Sequence, residues 1–359
     1  MSGLPSITIT FTSAARAVSR RAGQGIVAMV LTDAGSNTAG IYHIAAEADI
    51  PEGLGVNNKA YIARALTGNV NRPAKIIALV KTSSTTMATA LASLALYDFD
   101  WIVGDPDLST ADAATIKTWI ATQRADYDKI YKAVLPNVAA DSESIVNFAA
   151  EDIKVGSTTY DTEAFCSRIA GIIAGTPLKQ SITNTILPEV SDVKRMSKEE
   201  ANTAINAGKL ILVHDGIKVK LGRGITSLTT TTNTTNKSKL LKKIKLSETL
   251  DIIKRDLRVL TQDNYIGKLA NSYDNKVVLI SAYLAYLKEL EAEGILQSGK
   301  STMEIDIDAQ RAYLKARGDN VANMTDDEIK TADTDEQVFI RGSIRMLDAI
   351  EDVAINMEF

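Results

Sequence analysis

The side chains best suited to catalysis are few in this chain and lie far apart in it. Its 359 residues include one cysteine, Cys166, and two histidines, His43 and His214. A single cysteine excludes an intramolecular disulfide and a zinc site built on cysteines. Cys166 falls within a predicted helix beside an apolar face, which is typical of a small buried residue. His214 ends a predicted hairpin strand, where a structural role is favoured. The spacing gives no nucleophile with a nearby base.

Two further patterns have residue types that could do chemistry, and each has a simpler interpretation. Ser191 and Lys194 have the S-x-x-K spacing of a nucleophile and its base, but two fixed positions arise by chance in most chains. The simpler interpretation is a loop leading to a helix cap at Ser197. Asp105 and Asp107 have the carboxylates of a cation site, yet aspartate beside proline and glycine is typical of a turn. With no phosphate loop or nucleophile elbow either, the sequence predicts no catalytic, cofactor or metal site and no enzyme.

Composition excludes several classes of partner. Hydrophobic residues make up 45% and charged residues 23% of the chain, as in a folded protein of about two to three domains. Forty lysines and arginines against 44 acidic residues give a net charge of −4, too balanced for a nucleic-acid or anionic-membrane protein. No apolar run approaches the roughly 20 residues of a membrane span, and the start lacks a signal-peptide layout. We expect no nucleic-acid partner, no membrane insertion and synthesis in the cytoplasm.

The first two thirds of the chain alternate between strand and helix patterns. Apolar runs predict buried strands at residues 26–31, 76–80, 99–103, 132–135 and 144–148. Helical patterns lie between and after them, including residues 162–174 and a capping box that starts at Ser197. The Asp-Gly pair at 215–216 predicts a hairpin. This alternation favours a largely parallel, doubly wound sheet with the hairpin at its edge.

A threonine-rich stretch separates this part from a mainly helical one, in which amphipathic helices follow one another. We predict an α/β and α+β multidomain fold: a small N-terminal α+β unit, a central doubly wound α/β domain, and a C-terminal α+β domain with extended N- and C-terminal β-strand arms. The predicted boundaries are an arm at 1–25, a small α+β domain at 26–90, the α/β domain at 91–225, a linker at 226–238, an assembly domain at 239–345 and an arm at 346–359.

Both ends of the chain alternate strictly between apolar and polar residues, which predicts a β-strand at each end. The apolar residues of the two patterns are Ile7, Ile9, Phe11, Val353, Ile355 and Met357. A terminal strand needs a partner for its N–H and C=O groups. The two ends either pair within one monomer or add to the sheets of neighbouring subunits, and the second arrangement predicts a non-closing polymer.

Several segments of the chain resemble contractile phage tail sheath proteins, in particular the short sheaths of defective-phage and bacteriocin-like particles. The matching segments occur in the family's order and span nearly the whole length. They are GLPSITITF (3–11), GIVAMVL (25–31), KAVLPNVAADSESIVNF (132–148), RIAGIIAGTPLKQSITNTILPEVSDV (168–193), HDGIKVKLGRGITSLTT (214–230), NYIGKLANSYDNK (264–276) and IRGSIRMLDAIEDVAINMEF (340–359).

The resemblance implies a structural subunit that forms a helical stack of hexameric rings around a tail tube. It implies that both arms pass to neighbouring subunits and complete a sheet in each C-terminal domain, and that contraction drives the tube through a cell envelope without a cofactor. The implied partners are the tube, baseplate and tail terminator proteins. The implied location is a phage tail or tail-like particle, made in the bacterial cytoplasm and released by lysis. Two alternatives stay open: a surface-layer or filament subunit that exchanges strands, and an α/β enzyme with an unrecognised site.

The resemblance also implies that a helix near the end of the chain contacts the tube. The best candidate covers residues 306–317 and presents Arg311, Lys315 and Arg317 along one side. The short helix after Thr325 and the lysines of residues 237–245 are alternatives. The simpler interpretation is that these cations only solvate a surface helix.

Overall fold

The computed structural model describes residues 25–33, 38–231 and 239–358, so the predicted N-terminal strand with Ile7, Ile9 and Phe11 lies outside the described residues. The described residues fall into two compact units. The larger unit runs to Glu248 and resumes at Asp348, and the smaller unit is Thr249–Leu347. The chain therefore leaves the larger unit and returns to it for its last residues.

The larger unit is built around a seven-stranded sheet. The described strands of this unit are, in chain order, β1 (Ile26–Thr32), β2 (Gly40–Ile44), β3 (Lys75–Lys81), β4 (Trp101–Val103), β5 (Lys132–Pro136), β6 (Ile145–Phe148), β7 (Ile153–Val155), β8 (Thr158–Tyr160), β9 (Lys209–Leu210), β10 (Leu212–His214) and β11 (Val219–Leu221). The main sheet has the spatial order β2-β3-β1-β4-β5-β6-β9, in which β2 is antiparallel to β3 and the other pairs are parallel.

Helices cover both faces of this sheet. The helices of the unit are α1 (Val56–Leu66), α2 (Met87–Leu94), α3 (Thr110–Asp126), α4 (Thr162–Ala174) and α5 (Lys198–Asn206). Apolar residues of α1 and α4 belong to the core on one face, and those of α2 and α3 belong to the core on the other. Five consecutive residues in each of β1 and β3 are buried because both faces of these strands are covered. The prediction of a doubly wound α/β sheet is confirmed.

The predicted boundary at residue 90 is wrong, because one sheet runs through both segments. Strand β1 pairs with β3 on one side and with β4 on the other, where Val27 lies opposite Trp101. Parallel strands are joined by crossovers, so two strands and two helices separate β1 from β4 in the sequence. The separation in sequence hides the pairing of β1 with β4, so the chain after β3 looks like the end of a small domain.

The hairpin at Asp215 and Gly216 is confirmed, but its predicted place is not. Strands β10 and β11 pair antiparallel around this turn and form a two-stranded sheet of their own. The edge of the main sheet is β9, a two-residue strand that pairs with β6. Strand β9 has only two residues, and the first of them is polar, so the sequence contains no strand pattern at this edge.

The threonine-rich stretch begins inside the larger unit rather than as a linker. Residues 226–228 are buried, and the backbone N–H of Ser227 donates to the carbonyl oxygen of Ile145 at 2.8 Å. Small hydroxylated residues fit here because they hydrogen-bond to nearby backbone. Residues 232–238 lie outside the described residues.

Asp141 binds the next two residues of this stretch, and we expect it to stabilise the fold to an extent that depends on pH. Its carboxylate accepts hydrogen bonds from the backbone N–H groups of Thr230 at 2.8 Å and Thr229 at 2.7 Å. These bonds hold the pKa of Asp141 well below its usual range. A carboxylate with a lowered pKa stabilises the fold above about pH 4, and the stabilisation is lost as the pH falls toward that lower pKa.

The substitution Asp141→Asn should therefore lower the free energy of unfolding by about 1 kcal/mol at neutral pH, a value limited by the exposure of this side chain. Urea unfolding of the two proteins checks this. The difference should shrink as the pH falls below about 4, where the wild-type carboxylate takes up its proton. A difference that stays constant down to about pH 2 would contradict the assignment.

The smaller unit contains most of one long helix, further helices and a small sheet. Its described elements are α6 (Ile244–Asn264), α7 (Tyr273–Ala292), β12 (Thr302–Ile305), α8 (Ile307–Arg317), α9 (Asp326–Thr331) and β13 (Ile340–Ser343). The boundary between the units falls inside α6, after Glu248, and not at the predicted residue 239. The sequence marks where a helix starts, and a continuous helix gives no sign of where a unit begins. None of the described helices in either unit has the length and apolarity needed to cross a membrane.

Candidate assembly surfaces

The side chains with nucleophile or base chemistry each have a structural partner. Cys166 is buried in α4 and donates a hydrogen bond to a carbonyl oxygen of its own helix at 3.4 Å. Burial raises the pKa of this thiol, which disfavours the reactive thiolate. Ser191 donates to the carbonyl oxygen of Lys154 at 3.2 Å, whereas Lys194 pairs with Glu151 at 2.5 Å. The two residues of the S-x-x-K pattern therefore bond to different groups.

The acidic residues after β4 also belong to the scaffold. Asp105 is buried and accepts hydrogen bonds from the backbone N–H of Thr32 and from its hydroxyl, the latter at 2.6 Å. It thus joins the carboxyl ends of β1 and β4, and burial raises its pKa. Asp107 is exposed in the turn. Among the described residues, no three His, Cys, Asp or Glu side chains are grouped as metal ligands would be.

The last residues of the chain are held in the larger unit by charge. The amine of Lys243 forms ion pairs with Asp348 at 2.6 Å and with Glu351 at 2.8 Å. The guanidinium of Arg223 pairs with Asp352. We call these five residues the arm anchor. The lysines of residues 237–245 were predicted as an alternative tube contact or as cations that only solvate a helix. Lys243 instead binds the C-terminal segment of the same chain.

Glu351 is the most enclosed member of the arm anchor. Its side chain is 5% exposed and accepts hydrogen bonds from the hydroxyls of Thr183 at 2.6 Å and Ser181 at 3.3 Å. Burial alone would lower the pKa of Lys243, but its hydrogen bonds to Asp348 and Glu351 outweigh burial and raise it. A buried carboxylate with this many donors holds a fixed position.

Beyond the arm anchor, residues 353–358 form what we call the C-terminal arm. They contain no helix or strand, and Val353, Ile355 and Met357 are 70%, 73% and 85% exposed. The predicted strand therefore has no partner within the described residues of one chain. The arm starts later than the predicted residue 346, because the backbone N–H of Leu347 donates to the carbonyl oxygen of Ile295 in the smaller unit at 3.0 Å. A row of exposed apolar side chains is typical of a surface that a partner covers.

The smaller unit contains a sheet that can accept further strands. Strands β12 and β13 pair antiparallel, from Thr302 opposite Ser343 to Ile305 opposite Ile340. Among the described residues they pair only with each other, so within that part of the chain each has an unpaired outer edge. A two-stranded ribbon is marginally stable, and open edges attract strands from other chains. The arm offers a segment without a partner strand, and this sheet offers edges without a partner strand, so the two are suited to pair with each other.

The three predicted tube contacts on α8 differ in their surroundings. Arg311 forms an ion pair with Asp326 at 2.8 Å, and Arg317 forms one with Asp335 at 2.8 Å. Lys315 is exposed and forms no ion pair within the described residues. The two arginines therefore already stabilise the unit itself. Lys315 is the candidate whose charge is available to another protein.

Sequence reasoning missed the arm anchor and the sheet of β12 and β13. The anchor had one signal, a cluster of lysines and a later acidic run at residues 348–352, but charge alone does not show which groups meet. Residue pairs such as Arg223 with Asp352 lie too far apart in the sequence for any local pattern. Strand β12 has four residues, of which only Ile305 is buried, so it lacks the apolar run by which buried strands are recognised.

Comparisons with known proteins place the chain among sheath proteins. The model described as the phage tail sheath protein central domain matches residues 74–227, and the phage tail sheath C-terminal domain matches residues 236–359. The tail sheath protein of Clostridium phage phiCD119 is 35% identical over 364 residues, which cover 100% of both chains.

Solved structures show the same fold. The sheath tail protein from Listeria innocua has a TM-score of 0.70 at 16% identity, over 84% of this chain and 93% of that one. The helical sheath of the anti-feeding prophage in its contracted state has a TM-score of 0.69 at 14% identity, over 100% of this chain and 99% of that one.

Proposed function

The chain belongs to the phage tail sheath protein family, and on that basis we propose that it is the repeating subunit of a contractile sheath, stacked in hexameric rings around a tail tube. The observation that carries the proposal is the C-terminal arm. It is anchored in its own subunit up to Asp352, and its exposed apolar residues then have no partner in the described chain.

One chain carries both halves of a strand-exchange contact. The arm supplies an alternating strand, and β12 and β13 supply a sheet with open edges. A contact between two different surfaces of identical copies does not close on itself, so it propagates through a ring or along a helix. The predicted N-terminal strand with Ile7, Ile9 and Phe11 would take a second edge in the same way.

Such a connection suits a sheath that contracts. When extended, residues 353–358 span about 20 Å, so neighbouring subunits can rotate and slide while the arm still joins them. In this proposal the tail tube lies inside the rings, and baseplate and tail terminator proteins bind the two ends. The subunit is made in the bacterial cytoplasm and is released by lysis in a phage tail or tail-like particle. Energy comes from a metastable extended state and not from a chemical step.

Electron microscopy of the purified protein, alone and with its tube protein, tests this function. We expect hollow cylinders with regular cross-striations that can adopt a shorter and wider state. Flat arrays or thin filaments would instead support the alternative of a surface-layer or filament subunit. A protein that stays monomeric in the presence of tube and baseplate proteins would contradict the proposal.

Lys315 provides a separate test of the tube contact. The substitution Lys315→Glu should lower the fraction of tubes that carry sheath and make sheathing more sensitive to salt, because each exposed ion pair is weak but repeats in every subunit. Counts of sheathed tubes at rising salt measure the effect. Lys288→Glu, an exposed lysine on α7, is the matched control and should behave as wild type. Equal sheathing by both variants would show that α8 is not the contact. Arg311→Glu is less informative, because it also breaks the pair with Asp326.

A further inference from the structure

The outer surface of α2 and α3 in the larger unit, which we call the α2–α3 face, has an unusual composition. Residues 82–97, which include all of α2, contain no charged side chain, although a stretch of this length would carry about four at the 23% of the whole chain. The exposed residues of α3 are alanine or threonine until Asp126, its last residue. Leu96, two residues after the end of α2, is 86% exposed. Depletion of charge on an exposed surface is typical of a contact with another protein.

A groove runs between the two helices and has one rigid aromatic wall. It has a volume of about 430 Å³ and is lined by Ala88, Leu91, Ala114, Thr115, Thr118 and Trp119. The indole of Trp119 is half-buried and stacks on Tyr131 with ring centroids 5.6 Å apart, and Tyr131 stacks on Phe99 at 4.0 Å. Because the other side chains of the groove are small and its wall is fixed, a partner can pack here with little loss of side-chain entropy.

The size of the α2–α3 face indicates which kind of partner covers it. By helix geometry α2 is about 12 Å long and α3 about 25 Å, with axes about 10 Å apart, so the face covers roughly 400 Å². A stable complex between two free proteins needs about 800 Å² from each partner. The face is therefore too small to hold a free partner, but it suits a contact between copies that the C-terminal arm already holds side by side at high effective concentration. Its lack of charge also disfavours a partner with a charged surface, whose loss of water it would not compensate.

A contact of this kind is needed because the arm alone does not explain why a sheath contracts. In the proposed function the arm joins neighbours in both the extended and the contracted state, so its contribution to the free energy cancels between the two states. The difference between them has to come from a contact that only one state makes. Since the extended state has the higher free energy, it is the state that leaves such a surface in water.

We propose that the α2–α3 face packs against the larger unit of a neighbouring copy in the contracted sheath and stays in water in the extended sheath. The inference rests on the proposed function and deepens it, because it names a surface that favours contraction. Free subunits stay apart because the face is small, and contraction brings it into contact when the larger units of neighbouring copies approach one another.

The fluorescence of Trp119 reports on this face without any change to it. The chain has two tryptophans, and the other, Trp101, is 1% exposed and out of reach of a quencher. Acrylamide quenching is measured on free subunits, on extended sheaths and on contracted sheaths, and the same series with Trp119→Phe subtracts the signal of every other tryptophan. We expect the quenching constant of Trp119 to be similar in the first two samples and to fall about threefold or more in contracted sheaths, because packing excludes water and quencher.

Two results would overturn the inference and leave the proposed function standing. One is equal quenching of Trp119 in extended and contracted sheaths, and the other is shielding of Trp119 in the extended state alone. Wild-type protein that forms no sheath would instead refute the proposed function.

The substitution Thr118→Lys tests the energetic contribution of the face, because it places a charge in the groove. Contracted sheaths of this variant should dissociate at lower guanidinium concentration, with a dissociation constant between copies raised about tenfold, while extended sheaths keep the wild-type length. The matched control is Thr203→Lys on α5. Thr118 and Thr203 are both exposed, and their hydroxyls donate to the carbonyl oxygen four residues earlier at 3.0 Å and 2.8 Å, so both variants lose the same hydrogen bond.

Thermal unfolding of the free subunits checks that both lysine variants fold as the wild type does. Contracted sheaths of the two variants that dissociate at the same guanidinium concentration would show that the α2–α3 face makes no contact in that state. Should Thr118→Lys fail to fold, the quenching of Trp119 in the wild-type chain still decides the question.

Discussion

A chain that ends at Asp352 should fold as the full chain does and fail to form sheaths. The removed residues make no described hydrogen bond, and Val353, Ile355 and Met357 are at least 70% exposed, so the subunit gains little from them. Burial of such side chains stabilises a contact by about 1.5–3 kcal/mol each. Even partial burial of three of them makes removal cost roughly a thousandfold or more in the affinity between subunits, at about 1.4 kcal/mol per factor of ten.

Two measurements separate assembly from folding in this experiment. Urea unfolding should give a free energy within about 0.5 kcal/mol of wild type, while electron microscopy and sedimentation should show loss of long particles. The single substitution Ile355→Asp should reproduce much of the loss, because it places a charge in the contact. Ile217→Ser is the control: it removes an equally exposed apolar residue outside the arm and should leave assembly intact. Long sheaths from the truncated chain would exclude the arm as a connector.

Local rules explain which parts of this fold were predictable. The helix predicted at residues 162–174 agrees with α4 residue for residue, and the capping box predicted at Ser197 is present with its hydrogen bonds. Capping depends on residues three positions apart, so a sequence contains all the information it needs. The same holds for the turn at Asp215 and Gly216, and for the apolar runs of β1 and β3.

Pairing between distant segments was not predictable in the same way. Which strand lies beside β1 depends on crossovers, and the sequence pattern of a buried strand is the same whichever neighbour it has. Strands β12 and β13 have only four residues each, too few for a strand pattern to stand out from chance. The alternation at residues 353–357 predicts a strand, and that stays a prediction. The point at which the segment leaves the subunit was not readable, since the contacts of Leu347 and Asp352 are long-range.

A second large effect is expected in the arm anchor. The substitution Glu351→Gln should loosen residues 348–352, from which the C-terminal arm extends, without unfolding the subunit. Glutamine keeps the shape and an oxygen that can accept from Thr183, so the change isolates the charge. Hydrogen bonds to a charged, enclosed group contribute about 1.5–3 kcal/mol, because little water screens them. Cleavage within residues 348–352 by an unspecific protease should therefore speed up about tenfold to a hundredfold, because cleavage requires that the segment first leave its place.

Asp352→Asn is the matched control for this experiment. It also removes one negative charge from the arm anchor, but its ion pair with Arg223 has side chains that are 79% and 38% exposed. Exposed pairs contribute about 0–1 kcal/mol, so the rate of cleavage should change less than about fivefold. If the two variants are cleaved equally fast, the enclosure of Glu351 is not what fixes the segment.

The pH dependence of the arm anchor has a definite sign. The pKa of Lys243 is raised in the folded chain, so its contribution is fully present below its ordinary value of about 10.4 and is lost as the pH rises through the raised value. Lys243 therefore adds no pH dependence near neutrality, and cleavage within residues 348–352 should accelerate only in strongly alkaline solution. In Glu351→Gln this acceleration should begin at lower pH, because one of the two acids that raise the pKa is gone.

The fixed position of residues 348–352 matters because a strand between two subunits transmits force only if both of its ends are held. In Glu351→Gln the arm can still pair with the neighbouring sheet, but release of residues 348–352 adds about 17 Å of slack to the connection. Longer slack lowers the effective concentration that keeps neighbouring subunits registered. We therefore expect sheaths of this variant to assemble, yet to break between rings when contraction is triggered by mild denaturant. Electron microscopy of contracted particles, with Asp352→Asn beside it, measures their lengths; unbroken contracted sheaths in Glu351→Gln would show that the anchor bears no load.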